Sequence, residues 1–484
     1  MYERIKVAVI DNGIDELVLE KKLENSILID TDGNCVKDKK KITQQVFQHG
    51  TICAKIIENI FDECSIVSIR ILDDRGKGKT NCLEPALKWC YRNNIYIVNL
   101  SFGTTHFIDK CNLRKIINQY ANQGMLIIAA GANSGYISYP ASFSNVIGVA
   151  AGDKLEVNKS FMLHQGIDFL APCELKTDNK SGFYSVSQSN SYAAPYITAL
   201  AAKIMQQKNV SDICELKNKI YEIICNEKFE YINTCIPDWV TAAWCDGVGG
   251  RTMAKMYFEA YTDSYGSCGK YIDTIIFKEA DKYKEYRKKG KNLIYLGKES
   301  IDFRNFRGFY WDYEKRVQQI RETKSRKEEL QLPIVICVLD KNIDLFLFLT
   351  ELKAGFANKG YNAYAVSTEQ ECVLYDIEYA PEHIFYHAPE LLFDFWYWQT
   401  YYQQSDVIVS AVYHCETVNS KKVFETADML VFIESGNKKY NINILCEGQM
   451  KNSYRSEMID FRILFQKILS LLLDLDICED EPIN

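Results

Sequence analysis

Two hydrophobic rhythms alternate along the first half of the chain. Short, predominantly apolar runs at residues 5–10, 66–72, 95–101, 125–130 and 146–151 predict buried strands. Between them, apolar residues recur at spacings of three and four, which predicts helices over 83–93 and 113–123. The longest such face runs through Ala193, Ile197, Leu200, Ala201 and Ile204. Strands alternating with helices predict an α/β fold, a mostly parallel sheet with helices on both faces. After Cys225 the pattern changes. Residues 229–250 hold Pro237, Gly247, Gly249 and Gly250 and read as a linker or crossover. Residues 251–330 read as a small α/β segment: a strand over 271–277, a charged helix over 282–289, a strand over 292–297 and a long charged helix over 313–330. A second α/β pattern fills 331–484, with strands at 332–340, 361–368, 406–412 and 429–434 and a helix at 345–359. The expected organisation is therefore 1–228, a connection over 229–250, then 251–330 and 331–484.

Three short stretches carry candidate chemistry. Val7-Ala8-Val9-Ile10-Asp11-Asn12-Gly13 puts a carboxylate at the end of a strand, where sites assemble in open α/β sheets. His49-Gly50-Thr51 opens a helical pattern. Ser189-Asn190-Ser191-Tyr192-Ala193-Ala194-Pro195 opens the longest helix, with Pro195 in the first turn, where a missing N–H costs little. A serine there lies at the positive end of the helix dipole, among free backbone N–H groups. Taken singly, each stretch has an ordinary structural reading: a turn former, a structural histidine and a helix N-cap. Taken together, Asp, His and Ser follow one another in the chain order of the subtilisin triad.

The residues around all three resemble the subtilase family of serine peptidases over residues 1 to about 228. Asp11-Asn12-Gly13, His49-Gly50-Thr51 and the Ser189–Pro195 stretch match its three signatures. Further landmarks fall between them in order: Asn99-Leu100-Ser101-Phe102-Gly103, Ala129-Ala130-Gly131-Ala132-Asn133, Tyr139-Pro140-Ala141 and Asp168-Phe169-Leu170-Ala171-Pro172. The resemblance implies a subtilisin-like sheet, with Ser191 as nucleophile, His49 as general base and acid, and Asp11 orienting the imidazole. It implies that Asn133 donates to the oxyanion. Ser101, Phe102, Gly103, Ala130, Gly131 and Asn190 would line the substrate cleft. Three features depart from the family pattern. Ser189-Asn190 stands where Gly-Thr is usual, Ala132 replaces a glycine before Asn133, and Lys55 replaces a small glycine after Ala54. A narrowed cleft is the expectation. No cofactor is expected; calcium is implied by the family alone, and no metal site is legible.

Composition narrows the class. Apolar residues at 47% and charged residues at 25% are ordinary for a soluble globular protein. A net charge of −7 argues against a nucleic-acid partner. The 17 cysteines are spread without a C-x-x-C pair, so zinc has no support and free thiols in a reducing cytoplasm are expected. Frequent Lys, Ile, Asn and Tyr suggest a bacterial source. Asp11 lies close to Met1, with no signal peptide, no membrane-spanning run and no room for a large prodomain, so an intracellular peptidase active without N-terminal removal is expected. The C-terminal run Phe461, Leu464, Phe465, Ile468, Leu472, Leu475 is amphipathic and reads as a docking helix.

The last segment resembles, in layout, a degenerate P-loop-like domain of ribosomal peptide maturation proteins. Its chemistry is absent: the loop reads Asp340-Lys341-Asn342-Ile343-Asp344, with no glycine and two aspartates that repel phosphate. The aromatic group Phe393, Phe395, Trp396, Tyr397, Trp398, Tyr401, Tyr402 reads either as a buried helix face or as part of a recognition surface. Two functions follow. One is a cytoplasmic endopeptidase that processes a specific peptide, such as the leader of a ribosomally made peptide, with maturation proteins as partners. The other is a catalytically silent subtilase-like binding module in such an assembly.

Overall fold

The computed structural model describes residues 4–39, 48–158, 166–173, 188–207, 210, 212–226, 236–249, 252–414 and 422–479. The expected boundary at 228 lies outside these residues, as does the side chain of Leu475.

The first unit is built on β1 Lys6–Asp11, β2 Asn25–Ile29, β3 Cys35–Lys37, α1 His49–Ile60, β4 Ser65–Arg70, α2 Leu83–Arg92, β5 Ile97–Leu100, α3 Lys110–Ala121, β6 Leu126–Ala130, β7 Ile147–Ala151, β8 Glu156–Val157, β9 Phe169–Ala171, α4 Asn190–Gln207 and α5 Ile213–Cys225. Its sheet has the order β3-β2-β4-β1-β5-β6-β7-β9-β8. All pairs are parallel except β2–β3 and β8–β9 at the two edges. The central strands are apolar on both faces because helices cover both: Val7, Val9 and Ile128 face one cluster with α1 and α4, and Ala8, Ile10 and Ile127 face another with α2 and α3. Asp168, after the Gly166 turn, is buried, accepts from the Gly148 N–H at 2.7 Å and pairs with buried Lys217 at 3.1 Å.

The second unit comprises β10 Ala242–Asp246, β11 Glu259–Tyr261, α6 Tyr265–Cys268, β12 Thr274–Phe277, α7 Tyr283–Tyr286, β13 Asn292–Tyr295, β14 Tyr310–Trp311 and α8 Tyr313–Glu322. Its five-stranded sheet is parallel, in the order β11-β10-β12-β13-β14. Two sequence expectations are corrected here. The stretch 229–250, read as a linker or crossover, contains β10, paired on both sides, and the fully buried Trp239, so it is part of a sheet and not a linker. The glycines that follow β10 hid a short apolar run. The charged helix expected to reach residue 330 ends at Glu322, because Thr323 turns extended and the charges beyond it carry no apolar face.

The third unit runs β15 Ile334–Leu339, α9 Leu345–Asn358, β16 Ala363–Ser367, β17 Glu378–Tyr379, α10 Glu382–His387, α11 Pro389–Gln403, β18 Val407–Tyr413, α12 Lys422–Glu425, β19 Met429–Ser435, β20 Tyr440–Cys446, β21 Gln449–Ser456 and α13 Phe461–Glu479. The sheet order is β17-β16-β18-β15-β19-β20-β21, parallel up to β19 and antiparallel through the last two strands. At the loop after β15, the Asp344 carboxylate caps α9 by accepting from Leu347 N–H at 3.0 Å, and it also accepts from the Thr252 hydroxyl. Asp340 accepts from the N–H groups of Asn342 and Ser435, each at 3.2 Å. A carboxylate thus sits where a phosphate would seek the helix dipole. Calorimetric titration with magnesium ATP or GTP is expected to show no saturable heat. Micromolar binding lost in Asn342→Ala would contradict this reading of the loop.

The units share one interior. A single hydrophobic cluster joins Val7 and Ile197 to Trp239 and Trp311 and on to Val335 and Phe348. Polar ties reinforce it. Asn118 on α3 donates to the carbonyls of Asp238 at 2.8 Å and Val240 at 3.2 Å. Asp376 of the third unit receives Lys110 at 2.9 Å and Arg114 at 2.7 Å from α3, and Lys353 of α9 at 3.0 Å. Among the described residues, every cysteine is a free thiol, and no helix is long and apolar enough to cross a membrane.

Candidate active site

β1 delivers Asp11 to the carboxyl end of the sheet, and the chain turns at once through Gly13, whose φ of +106° few other residues adopt. The turn receives the start of α1 at close range. A Cβ on Gly50 would lie 2.6 Å from the Gly13 carbonyl oxygen and 2.9 Å from Asp11 Cβ, so only glycine lets the helix approach. Asn12 fixes the junction by accepting from the Gly50 N–H at 3.0 Å. His49, the first residue of α1, thereby presents Nδ1 to both oxygens of buried Asp11, at 2.8 and 3.0 Å.

Burial of the imidazole opposes its charged form, but the Asp11 bond, with Cys53 beside the ring, outweighs burial and raises the His49 pKa above its usual value. The sign of the consequence is clear. A base that holds its proton more tightly becomes available only at higher pH. The acid limb of kcat/KM is therefore expected above pH ~6.5, the ordinary histidine value. Asp11→Asn is expected to move it down while lowering the rate about 10⁴-fold. A pH–rate profile checks both. A limb at or below the ordinary value in the unaltered protein would contradict the coupling.

Ser191 stands in the first turn of α4, where backbone N–H groups lack intrahelical partners. It lies beside the pair: Cys53 Sγ is 3.7 Å from the Ser191 carbonyl oxygen and 4.0 Å from His49 Nδ1, and the Tyr192 ring centroid is 5.1 Å from that of His49. Within the described residues the Ser191 hydroxyl makes no hydrogen bond to the imidazole; such contacts commonly tighten only when substrate is bound.

Asn133 projects next to this helix start. Its Oδ1 accepts from the Asn190 N–H at 2.9 Å, and its Nδ2 lies 3.3 Å from Ser189 Oγ. The anchored carbonyl holds the amide at the helix start, where the resemblance expects an oxyanion donor. The Asn190 side chain donates to the carbonyls of Gly131 at 3.1 Å and Ala132 at 3.0 Å and accepts from Ala151 N–H at 2.8 Å. It therefore braces the Ala130–Asn133 loop against the helix. Ala132 has no positive φ, so its methyl causes no backbone strain. Lys55 is engaged with Glu58 at 2.9 Å and Glu20 at 3.3 Å. Phe102 is half-buried, Gly103 exposed, and Ala130 and Gly131 buried beneath the loop.

Ser101, expected to line the substrate cleft, is buried in a polar network below the serine, and the network itself was not legible. Ser101 Oγ, which is buried, accepts from Asn99 Nδ2 at 2.9 Å and from Cys53 Sγ at 3.3 Å, and Asn99 Oδ1 accepts from Thr198 on α4 at 2.9 Å. It ties β5, α1 and α4 together under the candidate nucleophile. The signal for it was Asn99, a polar residue inside an apolar run. Asp11, His49 and Cys53 form the one group of three potential metal ligands among the described residues. An Asp/His/thiol set does not fit calcium, which takes oxygen ligands.

The parallel sheet, with a carboxylate–imidazole pair beside a serine at a helix start, defines a serine-hydrolase-like α/β domain. Residues 3–222 match the profile of the Subtilase family. Subtilisin Savinase of Lederbergia lenta is 27% identical over 220 residues, covering 43% of this chain and 78% of that protein. M-protease of Shouchella clausii (strain KSM-K16) is 27% identical over 220 residues, covering 43% of this chain but only 55% of its own length. The crystal structure of a cold adapted subtilisin-like serine proteinase aligns with a TM-score of 0.36 at 20% identity, over 45% of this chain and 83% of that one. The chain thus spans about half the length of several curated relatives it matches, and more than half of the chain lies outside the match.

Proposed function

We propose that this protein is a serine endopeptidase that cleaves a selected peptide. The observation that carries the reading is the two-oxygen bond of Asp11 to His49 Nδ1 with Ser191 placed beside it at a helix start. In the proposed reaction Ser191 Oγ attacks the scissile carbonyl while His49 Nε2 takes its proton. Asn133 Nδ2 and the Ser191 N–H hold the resulting oxyanion. His49 returns the proton to the leaving amine as the C–N bond breaks. Water, deprotonated by the same imidazole, then splits the acyl-enzyme. Asp11 holds the tautomer and stabilises the imidazolium.

Selectivity is supported by the braced loop at Asn190 and by the third unit, which abuts the segment after Asn133: Ile137 N–H donates to the Tyr402 carbonyl at 2.8 Å, and Tyr136 and Tyr401 lie 5.6 Å apart. We place the protein in a reducing cytoplasm, in keeping with the free thiols among the described residues. The leader of a ribosomally made peptide is the substrate class we favour. The test is to map new termini by mass spectrometry after incubating full-length protein with a peptide library. A discrete set of cleavages absent with Ser191→Ala is expected. Identical maps for the two proteins would overturn the reading in favour of a silent binding module.

A further inference from the structure

A cavity of about 420 Å³ opens between the first and third units, in the size range of a ligand site. On one side it is walled by Phe107, Ile108 and Lys110 together with Tyr139. These residues begin four positions after Gly103, and Thr104 pairs with Tyr139 across an isolated bridge, so the cavity continues the segment predicted to receive substrate. Ile108 is 67% exposed, an apolar side chain left at the cavity mouth.

The opposite wall includes Ala363, Tyr364 and Ala365, three consecutive residues of β16. Side chains alternate across a strand, so three neighbours in a row can line one cavity only along the strand's edge. That edge is open. On one side β16 pairs with β18 from Ala363 to Ser367, whereas on the other β17 pairs only with Val366 and Ser367. An open strand edge of this kind takes up an extended peptide through its backbone.

The charge of the cavity selects among peptides. Lys110 and Lys353 both line it, and they share the single carboxylate of Asp376 with Arg114. The other lining carboxylate, Glu378, is paired with Arg316. Behind Arg114, the Asp238 carboxyl is pushed up by burial to about 6 and accepts from Ser144 N–H. At this end of the cavity three cations, Lys110, Arg114 and Lys353, face two carboxyl groups, Asp376 and Asp238, and positive charge is left over.

We infer that the part of the substrate N-terminal to the scissile bond lies extended along the open edge of β16 in this cavity and places an acidic side chain between Lys110 and Lys353. The inference rests on the peptidase reading and specifies how the third unit chooses the substrate. Binding so remote from the reacting atoms orients the scissile bond, so substrates lacking it lose turnover as well as affinity.

The test uses full-length protein and a library of randomised peptides long enough to reach the cavity, with cleavage sites mapped by mass spectrometry. An Asp or Glu enriched several-fold at a position upstream of the residues flanking the cleaved bond is expected. Lys353→Glu should erase or invert that enrichment, and Ala357→Trp, which fills the cavity from the surface of α9, should erase it by bulk alone. Preferences confined to the flanking residues, and equal in all three proteins, would overturn the proposal. Labelling of Ser191 by a fluorophosphonate on the same preparations separates the two levels. Labelling without upstream preference sinks the cavity assignment and leaves the peptidase standing, whereas absence of labelling in the unaltered protein sinks both.

Discussion

Ser191→Ala is expected to lower peptide hydrolysis by about a million-fold, and His49→Ala by nearly as much, because members of a triad act as a unit. The geometry says why. Asp11 and His49 are already joined at 2.8 Å, so the base is oriented before substrate arrives, but it has no proton to take unless a hydroxyl stands at Ser191. The double variant should be little worse than either single one. Residual cleavage of 10³- to 10⁴-fold over water is expected from the oxyanion donors alone. Single-turnover rates on one cleaved peptide measure this. Ser191→Ala retaining near-full turnover would remove the serine from the mechanism.

The second large effect is expected at Asp376. Its carboxylate is the meeting point of Lys110, Arg114 and Lys353, and only 14% of its side chain is exposed. Burial alone would raise its pKa, but the three cations outweigh burial and hold the carboxyl well below the usual range. A carboxyl depressed on folding contributes stability that is present above its unfolded value, near 4, and is lost only as the pH falls through the lower folded value. Asp376→Ala would leave three cations in and around a largely buried cluster without their shared partner. Removing one side of such a pair typically costs about 3–5 kcal/mol. The first thermal unfolding transition should fall by several degrees at neutral pH, and the difference from the unaltered protein should shrink in strong acid. An unchanged transition would show that the first and third units do not depend on this hub.

The legible parts of this protein were those in which local pattern and chemistry coincide. The runs that became β1, β5 and β6 are mostly apolar because both faces of each strand are covered, and Asp11, Ser101 and Asn133 of the candidate site lie at or just after their ends. Asp11, His49 and Ser191 were named from their chain order and from the resemblance of the residues around them to the subtilase signatures, and the structure brings them to one end of one sheet. What stayed hidden depends on distant partners. Asn99, Thr198 and Cys53 share a network although up to 145 positions separate them. Trp239 and β10 were masked by the glycines behind them. The hairpin β20–β21 alternates at Tyr440, Ile442, Ile444 and Cys446 and turns at Glu447 and Gly448, both with positive φ, so it was readable in principle. The aromatic segment 393–402 fits both of its expected readings. Phe393, Phe395 and Trp396 are core, whereas Tyr401 is 52% exposed and meets Tyr136 beside the candidate cleft. A residue pattern shows which side chains form a face, not which other unit that face will meet.

The central claim is that Ser191 is an activated nucleophile. The most direct measurement is the intact mass of the full-length protein after brief exposure to a fluorophosphonate, followed by peptide mapping. The account predicts a single stoichiometric adduct on Ser191, formed faster as the pH rises and abolished by His49→Ala. No adduct, or one spread over several serines at a rate insensitive to His49→Ala, would contradict it.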